Sequence, residues 1–201
     1  MQTLVVMVKE PRPGRVKTRL GKDIGMTAAA WWFRHQTRDL LRHVQDPRWQ
    51  TVLAISPDVR GMRSRVWPRH LHRMAQGQGD LGDRMTRAIK AQEPGPVCVI
   101  GADIPGITRA HIAHAFQALG PVEAVFGPAP DGGYWLVGVK NSRSVPVQLF
   151  NNVRWSSSHA LADTIVSLDG RSFRYVDCLR DVDTLADLRM TAPRAHDTPT
   201  L

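Results

Sequence analysis

The stretch Pro96-Val97-Cys98-Val99-Ile100-Gly101-Ala102-Asp103-Ile104-Pro105 decides the fold. Val97 to Ile100 is a continuous apolar run between breakers, the pattern of a strand buried on both faces. A carboxylate, Asp103, follows almost at once. Working outward, further short runs read as strands: Thr3–Val8, Thr51–Ser56, Leu71–Ala75, Val122–Phe126, Tyr134–Val139 and Phe173–Leu179. Helical patterns lie between them. Thr27 is expected to cap a helix with Phe33, Thr37, Leu40, Leu41 and Val44 on one face. Asp83–Gln92 reads as a helix, and Thr108 caps another that ends before Gly120. The Ser156–Ser158 run is expected to cap a helix carrying Leu161, Ile165 and Leu168, and Asp183 or Thr184 to start a last one. Strands alternating with helices predict a three-layer α/β/α sandwich around a mainly parallel, mixed sheet. Thr3–Val8, Thr51–Ser56 and Val97–Ile100 should lie side by side, with the ligand site beyond their carboxyl ends.

The 201 residues suit one domain, placed at 1–190, with a flexible C-terminal tail over 191–201. Lys plus Arg exceeds Asp plus Glu by 27 to 18, a formal charge of +9 that favours anionic ligands. Composition bias alone accounts for such a total equally well, so placement has to decide. Cys98 and Cys178 both lie in apolar runs and read as buried thiols rather than a disulfide or metal ligands. The run Leu4 to Val8 is too short for a signal peptide or a membrane span, and a cytoplasmic protein is expected. The eight histidines show no metal-ligand spacing.

Five loops could carry chemistry. Lys9 to Leu20 holds five basic residues directly after the first strand. Pro13 helps stiffen it, Gly14 lets backbone N–H groups approach a phosphate closely and Arg15 is among its basic side chains, a solvated basic loop being the alternative. The spacing of a P-loop is absent. Asp103 sits where a carboxylate can hold Mg²⁺ or Mn²⁺ against phosphate oxygens, with a turn cap before Pro105 as the bland reading. Gln76 to Met85 contains three glycines. Its Asp80-Leu81-Gly82 could close over a base or ribose, or Asp83 could merely cap a helix. In Gly127 to Trp135, Asp131-Gly132-Gly133-Tyr134 suits either a tight turn or a wall around the acceptor. Beyond the last strand, Asp181 and Asp183 could reach a shared metal. Only one of the two is expected to do so, because they are not expected to point the same way along an extended segment.

The ordered motifs P-x-P-G-x-V-K-T-R-L, G-D-L-G-D-R-M, G-A-D-I-P, P-A-P-D-G-G-Y-W-L-V-G, W-S-S-S and D-V-D-T, from Leu4 to about Leu188, closely resemble the rSAM/selenodomain-associated transferases. That family is classed with glycosyltransferases of the GT-A, nucleotide-diphospho-sugar transferase fold. More distantly the chain is similar to nucleotidyltransferases: the molybdenum-cofactor guanylyltransferases, 2-phospholactate guanylyltransferase and the sugar-acid cytidylyltransferases. That similarity implies that Lys17 and Arg19 hold the nucleotide phosphates, that Asp103 is a metal ligand and that Asp183 completes the metal site. Three positions depart from the patterns. The L-A-A-G-x-G-x-R opening is replaced by Val8 to Gly14, Leu185 stands where the late motif has Pro, and Ile104-Pro105 after Asp103 breaks the glycosyltransferase Asp-x-Asp.

These readings converge on a metal-dependent transferase using a nucleoside triphosphate or sugar nucleotide and a small acceptor, with Lys17 and Asp103 at the reaction centre. The rivals are a nucleic-acid-binding protein, which no recognised motif supports, and a sugar-nucleotide binder without turnover. The oligomeric state is left open.

Overall fold

The computed structural model describes residues 1–191. The expected tail therefore lies outside the described residues except for Thr191. In chain order the elements are β1 (Gln2–Lys9), α1 (Thr18–Ile24), α2 (Met26–His43), β2 (Trp49–Ser56), α3 (Asp58–Met62), β3 (His72–Ala75) and α4 (Leu81–Lys90). They continue as β4 (Val97–Gly101), α5 (Arg109–Ala118), β5 (Ala124–Pro128), β6 (Tyr134–Val139), α6 (Ala160–Val166), β7 (Phe173–Tyr175) and α7 (Leu185–Thr191).

Among the described residues the strands form one seven-stranded sheet in the order β3-β2-β1-β4-β6-β5-β7. The pairs β1–β2, β1–β4, β2–β3 and β5–β7 are parallel. β6 runs antiparallel to both of its neighbours, β4 and β5. The sheet is thus mainly parallel and mixed, and the three strands expected side by side are neighbours.

Alternation along the strands splits the core into two layers. Leu4, Val6 and Val8 of β1, with Cys98 and Ile100 of β4, face Phe33, Leu40 and Leu41 of α2 and Ile112 and Phe116 of α5. Val5, Val99 and Val137 face the other way, toward Met85 and Ile89 of α4, with Leu161 and Ile165 of α6 packed against the same layer. Burial of these side chains, at roughly 25 cal/mol per Å² of apolar surface, is the main term holding the layers together.

Several local expectations are corrected. The basic loop is shorter than its composition suggests, because it turns into α1 at Thr18. Gly25, not Thr27, caps α2, with φ at 90°. The strands expected at Val122–Phe126 and Phe173–Leu179 form at Ala124–Pro128 and Phe173–Tyr175. Ser156 to Ser158 do not cap α6, which begins after His159 without a side-chain cap. Cys98 is buried, but Cys178 is exposed.

α4 starts at Leu81, two residues before Asp83. Asp80 is its N-cap and Asp83 closes the capping box from the third helical position. Asp80 also accepts from Trp155 Nε1 at 3.2 Å. Asp80→Ala should therefore cost about 1 kcal/mol of stability, while Asp80→Asn, which keeps a capping oxygen, should cost much less. Urea denaturation of the two variants checks this, and equal losses would contradict the capping role.

Candidate functional site

The site is built where β1, β4 and the segment after β7 end together. β1 and β4 are parallel with Met7 paired to Gly101, so the chain leaves both strands at one edge. The segment that follows β1 brings Lys17 back over that edge. Lys17 has φ 44° and ψ 49°, a left-handed backbone that most residues avoid, and it is the N-cap of α1. Its side chain is only 5% exposed.

The Lys17 ammonium donates to Asp103 Oδ2 at 2.9 Å and to Asp183 Oδ1 at 2.7 Å. Arg19 reaches the other Asp183 oxygen at 3.3 Å. Burial is the largest influence on Lys17 and pulls its pKa down. The Asp103 and Asp183 charges together outweigh it, and the pKa ends above its ordinary value.

The segment carrying Asp183 is firmly placed. The fully buried Val182 plugs it into the protein, and its N–H points to Asp103 O at 3.5 Å. Asp187 accepts from the backbone of Asp183 at 3.2 Å and Thr184 at 2.9 Å. Asp23 of α1 accepts from Leu185 N at 3.2 Å.

Asp181 joins the cluster instead of replacing Asp183. One carboxylate oxygen from each of Asp103, Asp181 and Asp183 lies within 4.8 Å of the others. The expectation that only one could reach fails for a simple reason. Residues two apart in an extended segment project to the same side, and it is Val182 between them that turns inward. Oxygens on opposite sides of one Mg²⁺ stand about 4 Å apart, so small side-chain movements suffice to bring these hard donors onto a divalent cation. The donor set fits Mg²⁺ or Mn²⁺.

Two compartments flank the carboxylates. One, of about 380 Å³, has Lys9, Arg15, Lys17, Arg19 and Gln76 on its walls. The buried Gln76 amide donates to Val8 O at 3.1 Å and Ala54 O at 2.9 Å, tying the ends of β1 and β2 together. Its contribution was not anticipated from sequence, since glutamine in a glycine loop carries no distinguishing signal. The other compartment, of about 760 Å³, is lined by Met7, Met85, Val99, Val137, Tyr134 and Trp155, with Asp131 and Ser156–Ser158 around it. Leu81 borders both compartments.

Among the expected site residues, Arg15, Lys17, Arg19, Leu81, Asp103, Asp131, Gly133, Tyr134 and Asp183 line these compartments. Pro13, Gly14, Asp80, Gly82 and Gly132 do not. Pro13 and Gly14 are exposed in the turn ahead of Arg15. Gly82 leaves no room for a side chain, since an added Cβ would meet Phe150 Cβ at 2.7 Å and Trp155 at 3.0 Å. The glycine loop is held from below, with Arg84 and Arg87 donating to Gly79 O at 3.0 Å and Gln78 O at 3.1 Å. Gly132, with φ 85°, makes the turn in which Asp131 Oδ1 accepts from Gly133 N at 2.9 Å. Tyr134 is hydrogen-bonded to Thr164 at 3.3 Å, and burial raises its pKa. Ser156–Ser158, expected as a helix cap, instead border the larger compartment.

Burial, and after it the charge of Asp183, push the Asp181 carboxyl from 3.8 up to about 6. The native state therefore holds this proton more tightly than the unfolded chain does. Stability falls as pH rises from about 4 to about 6, and the deficit persists above that window. In chelator-treated protein, Asp181→Asn should raise the melting temperature at pH 8 and leave it nearly unchanged at pH 4. A gain of the same size at both values would show that the carboxylate charge is not responsible.

Comparisons place the chain among known proteins. A family model described as "Uncharacterized protein conserved in bacteria (DUF2064)" matches residues 40–157. No curated protein sequence matches the chain significantly. Among solved structures, a candidate nucleotide-diphospho-sugar transferase from Desulfovibrio desulfuricans G20 superposes with a TM-score of 0.84 at 29% identity, covering 94% of this chain and 85% of that one. A 4-diphosphocytidyl-2C-methyl-D-erythritol synthase from Anaerococcus prevotii gives 0.60 at 10% identity, over 94% and 95% of the two chains. Glucosyl-3-phosphoglycerate synthase from Mycobacterium tuberculosis, solved with Mn²⁺, UDP and glucosyl-3-phosphoglycerate, gives 0.54 at 8%, over 94% and 75%. The chain has the fold of the nucleotide-diphospho-sugar transferases. No helix among the described residues is long and apolar enough to cross a membrane.

Proposed function

The chain belongs to the DUF2064 family, and we propose that it is a metal-dependent transferase, residues 1–190 forming one domain, that moves a sugar from a nucleoside-diphosphate donor to a small acceptor. The observation that carries this reading is the meeting of Lys17, Asp103 and Asp183 at the carboxyl edge of the sheet, between a basic compartment and an apolar one. The 29% identical structure named for this donor class supports the choice of glycosyl transfer.

Asp103 and Asp183, with Asp181 beside them, would hold Mg²⁺ or Mn²⁺. The bound cation would neutralise the donor diphosphate. Arg15, Lys17 and Arg19 would grip the phosphates from the basic side, and Lys17, released from its two carboxylates, would stabilise charge on the departing diphosphate. Asp131 and Tyr134 would border the acceptor, whose hydroxyl attacks the anomeric carbon as the nucleoside diphosphate leaves, the hydroxyl proton passing to the departing diphosphate or to solvent. Positioning and electrostatics account for such a reaction without a covalent intermediate.

The basic first loop favours a second reading, in which the acceptor attacks the α-phosphorus of a nucleoside triphosphate and pyrophosphate leaves. The cytidylyl-named relative shares the fold. The released product separates the two: nucleoside diphosphate for sugar transfer, pyrophosphate for nucleotidyl transfer.

A thermal-shift screen of sugar nucleotides and nucleoside triphosphates, with and without Mn²⁺, identifies the donor, since a ligand that binds only the native state raises its stability. Lys17→Ala and Arg19→Ala should each weaken binding of the selected nucleotide by about 1.5–3 kcal/mol in calorimetry. Asp103→Asn should keep the fold and lose the Mn²⁺-dependent part of that binding. Unchanged nucleotide affinity in all three variants would remove the nucleotide from this site.

A further inference from the structure

The larger compartment has a composition at odds with an anionic occupant. The apolar surface it presents comes from the half-buried Met7 of β1, Tyr134 and Trp155 and the exposed Leu81, with the buried Met85 of α4, Val99 of β4 and Val137 of β6 of the second core layer behind them. None of these side chains carries a charge. The charged groups on its walls are four carboxylates, those of Asp103, Asp131, Asp181 and Asp183, against a single cation, Arg19. Arg19 is already turned toward Asp183, and it also borders the basic compartment. Lys17 lies on the other side of the carboxylates, in the basic compartment.

This asymmetry is a selection rule. A metal ion would consume the charge of the inner carboxylates but not that of Asp131, which stands in the β5–β6 turn with its carboxylate fixed by Gly133 N. An acceptor bearing a phosphate or carboxylate would meet Asp131 with no cation to offset it, and like-charge juxtaposition discriminates strongly between ligands. Apolar surface placed over Met7, Leu81, Tyr134 and Trp155, by contrast, would remove the exposed parts of those side chains from water. Ser156–Ser158, uncharged and polar, border the site, the Ser157 hydroxyl donating to Arg154 O and accepting from His159 N. The volume of about 760 Å³ lies in the range that encloses a small organic molecule.

Building on the transferase reading above, we infer that the acceptor is an uncharged, hydroxyl-bearing molecule with an apolar body at least the size of an aromatic ring, seated on Met7, Leu81, Tyr134 and Trp155 in front of Met85, and that phosphorylated acceptors are rejected by Asp131 and its neighbouring carboxylates.

The probes are 4-methylumbelliferyl β-D-glucoside, neutral with hydroxyls and a ring body, and 4-methylumbelliferyl phosphate, which shares the ring and carries the anion. Methionine methyl groups are labelled with ¹³C, and Met7→Leu and Met85→Leu assign their resonances. The neutral probe should shift the Met7 and Met85 methyls in the full chain, and the phosphate probe should do so roughly tenfold more weakly or worse. Asp131→Asn keeps the oxygen that accepts from Gly133, and it should narrow the gap by improving the phosphate probe alone. Binding of the phosphate probe at these methyls as tightly as the neutral one would overturn the inference. So would the absence of any shift with the neutral probe, or an Asp131→Asn variant that leaves the gap unchanged. Nucleotide binding with Mg²⁺, which is diamagnetic, is recorded on the same sample. Its loss with the methyl response intact would defeat the donor reading alone, and the reverse outcome would defeat the acceptor inference alone.

Discussion

One ammonium group organises this protein's functional edge. Lys17 draws together a loop after β1, the end of β4 and the segment beyond β7, across sequence separations of 86 and 166 residues. Three carboxylates crowded within 4.8 Å would repel one another without a counter-charge, and Lys17 supplies it from a nearly buried position. The arrangement explains why a left-handed backbone is held at a lysine, since that geometry aims the side chain under the cluster while α1 begins immediately after it. It also places the ammonium on two of the three carboxylates grouped closely enough to hold a divalent cation. On the proposed reading Lys17 and the metal would compete for Asp103 and Asp183, and cation binding would free Lys17 to face the phosphates.

The strand directions decide what surrounds that cluster. In a sheet of parallel strands, only the loops after strands reach the carboxyl edge. β6 reverses direction between β4 and β5, so its entrance lies at that edge as well. The turn Asp131-Gly132-Gly133, leaving β5 and entering β6 at that edge, thus arrives beside the carboxylates. The single reversal divides the cleft into a basic side, built by the segment after β1, and an apolar, acid-rimmed side, built on β4 and β6.

Much of this was legible in the sequence. The run Val97 to Ile100 and its companion strands fixed the parallel core, because strands buried on both faces need continuous apolar stretches. Asp103 stood out because a carboxylate following such a run requires a partner. Three things were hidden for identifiable reasons. The capping residues of α2 and α4 were misplaced because Thr27 and Asp83 look like caps, and only backbone geometry shows that Gly25 and Asp80 act instead. Gln76 and Trp155 gain their roles from neighbours far away in sequence. Asp181 was set against Asp183 as a substitute, whereas the alternation of an extended segment puts both on one side around the buried Val182.

Calorimetric titration of Mn²⁺ into the nucleotide-free protein and into Lys17→Met tests the central claim most directly. If Lys17 stands in for the cation, its removal leaves Asp103, Asp181 and Asp183 uncompensated, and Lys17→Met should bind Mn²⁺ several-fold more tightly than the natural chain. Equal or weaker Mn²⁺ binding by Lys17→Met would contradict the account, because the lysine would then be supporting the carboxylates without occupying the place of the metal.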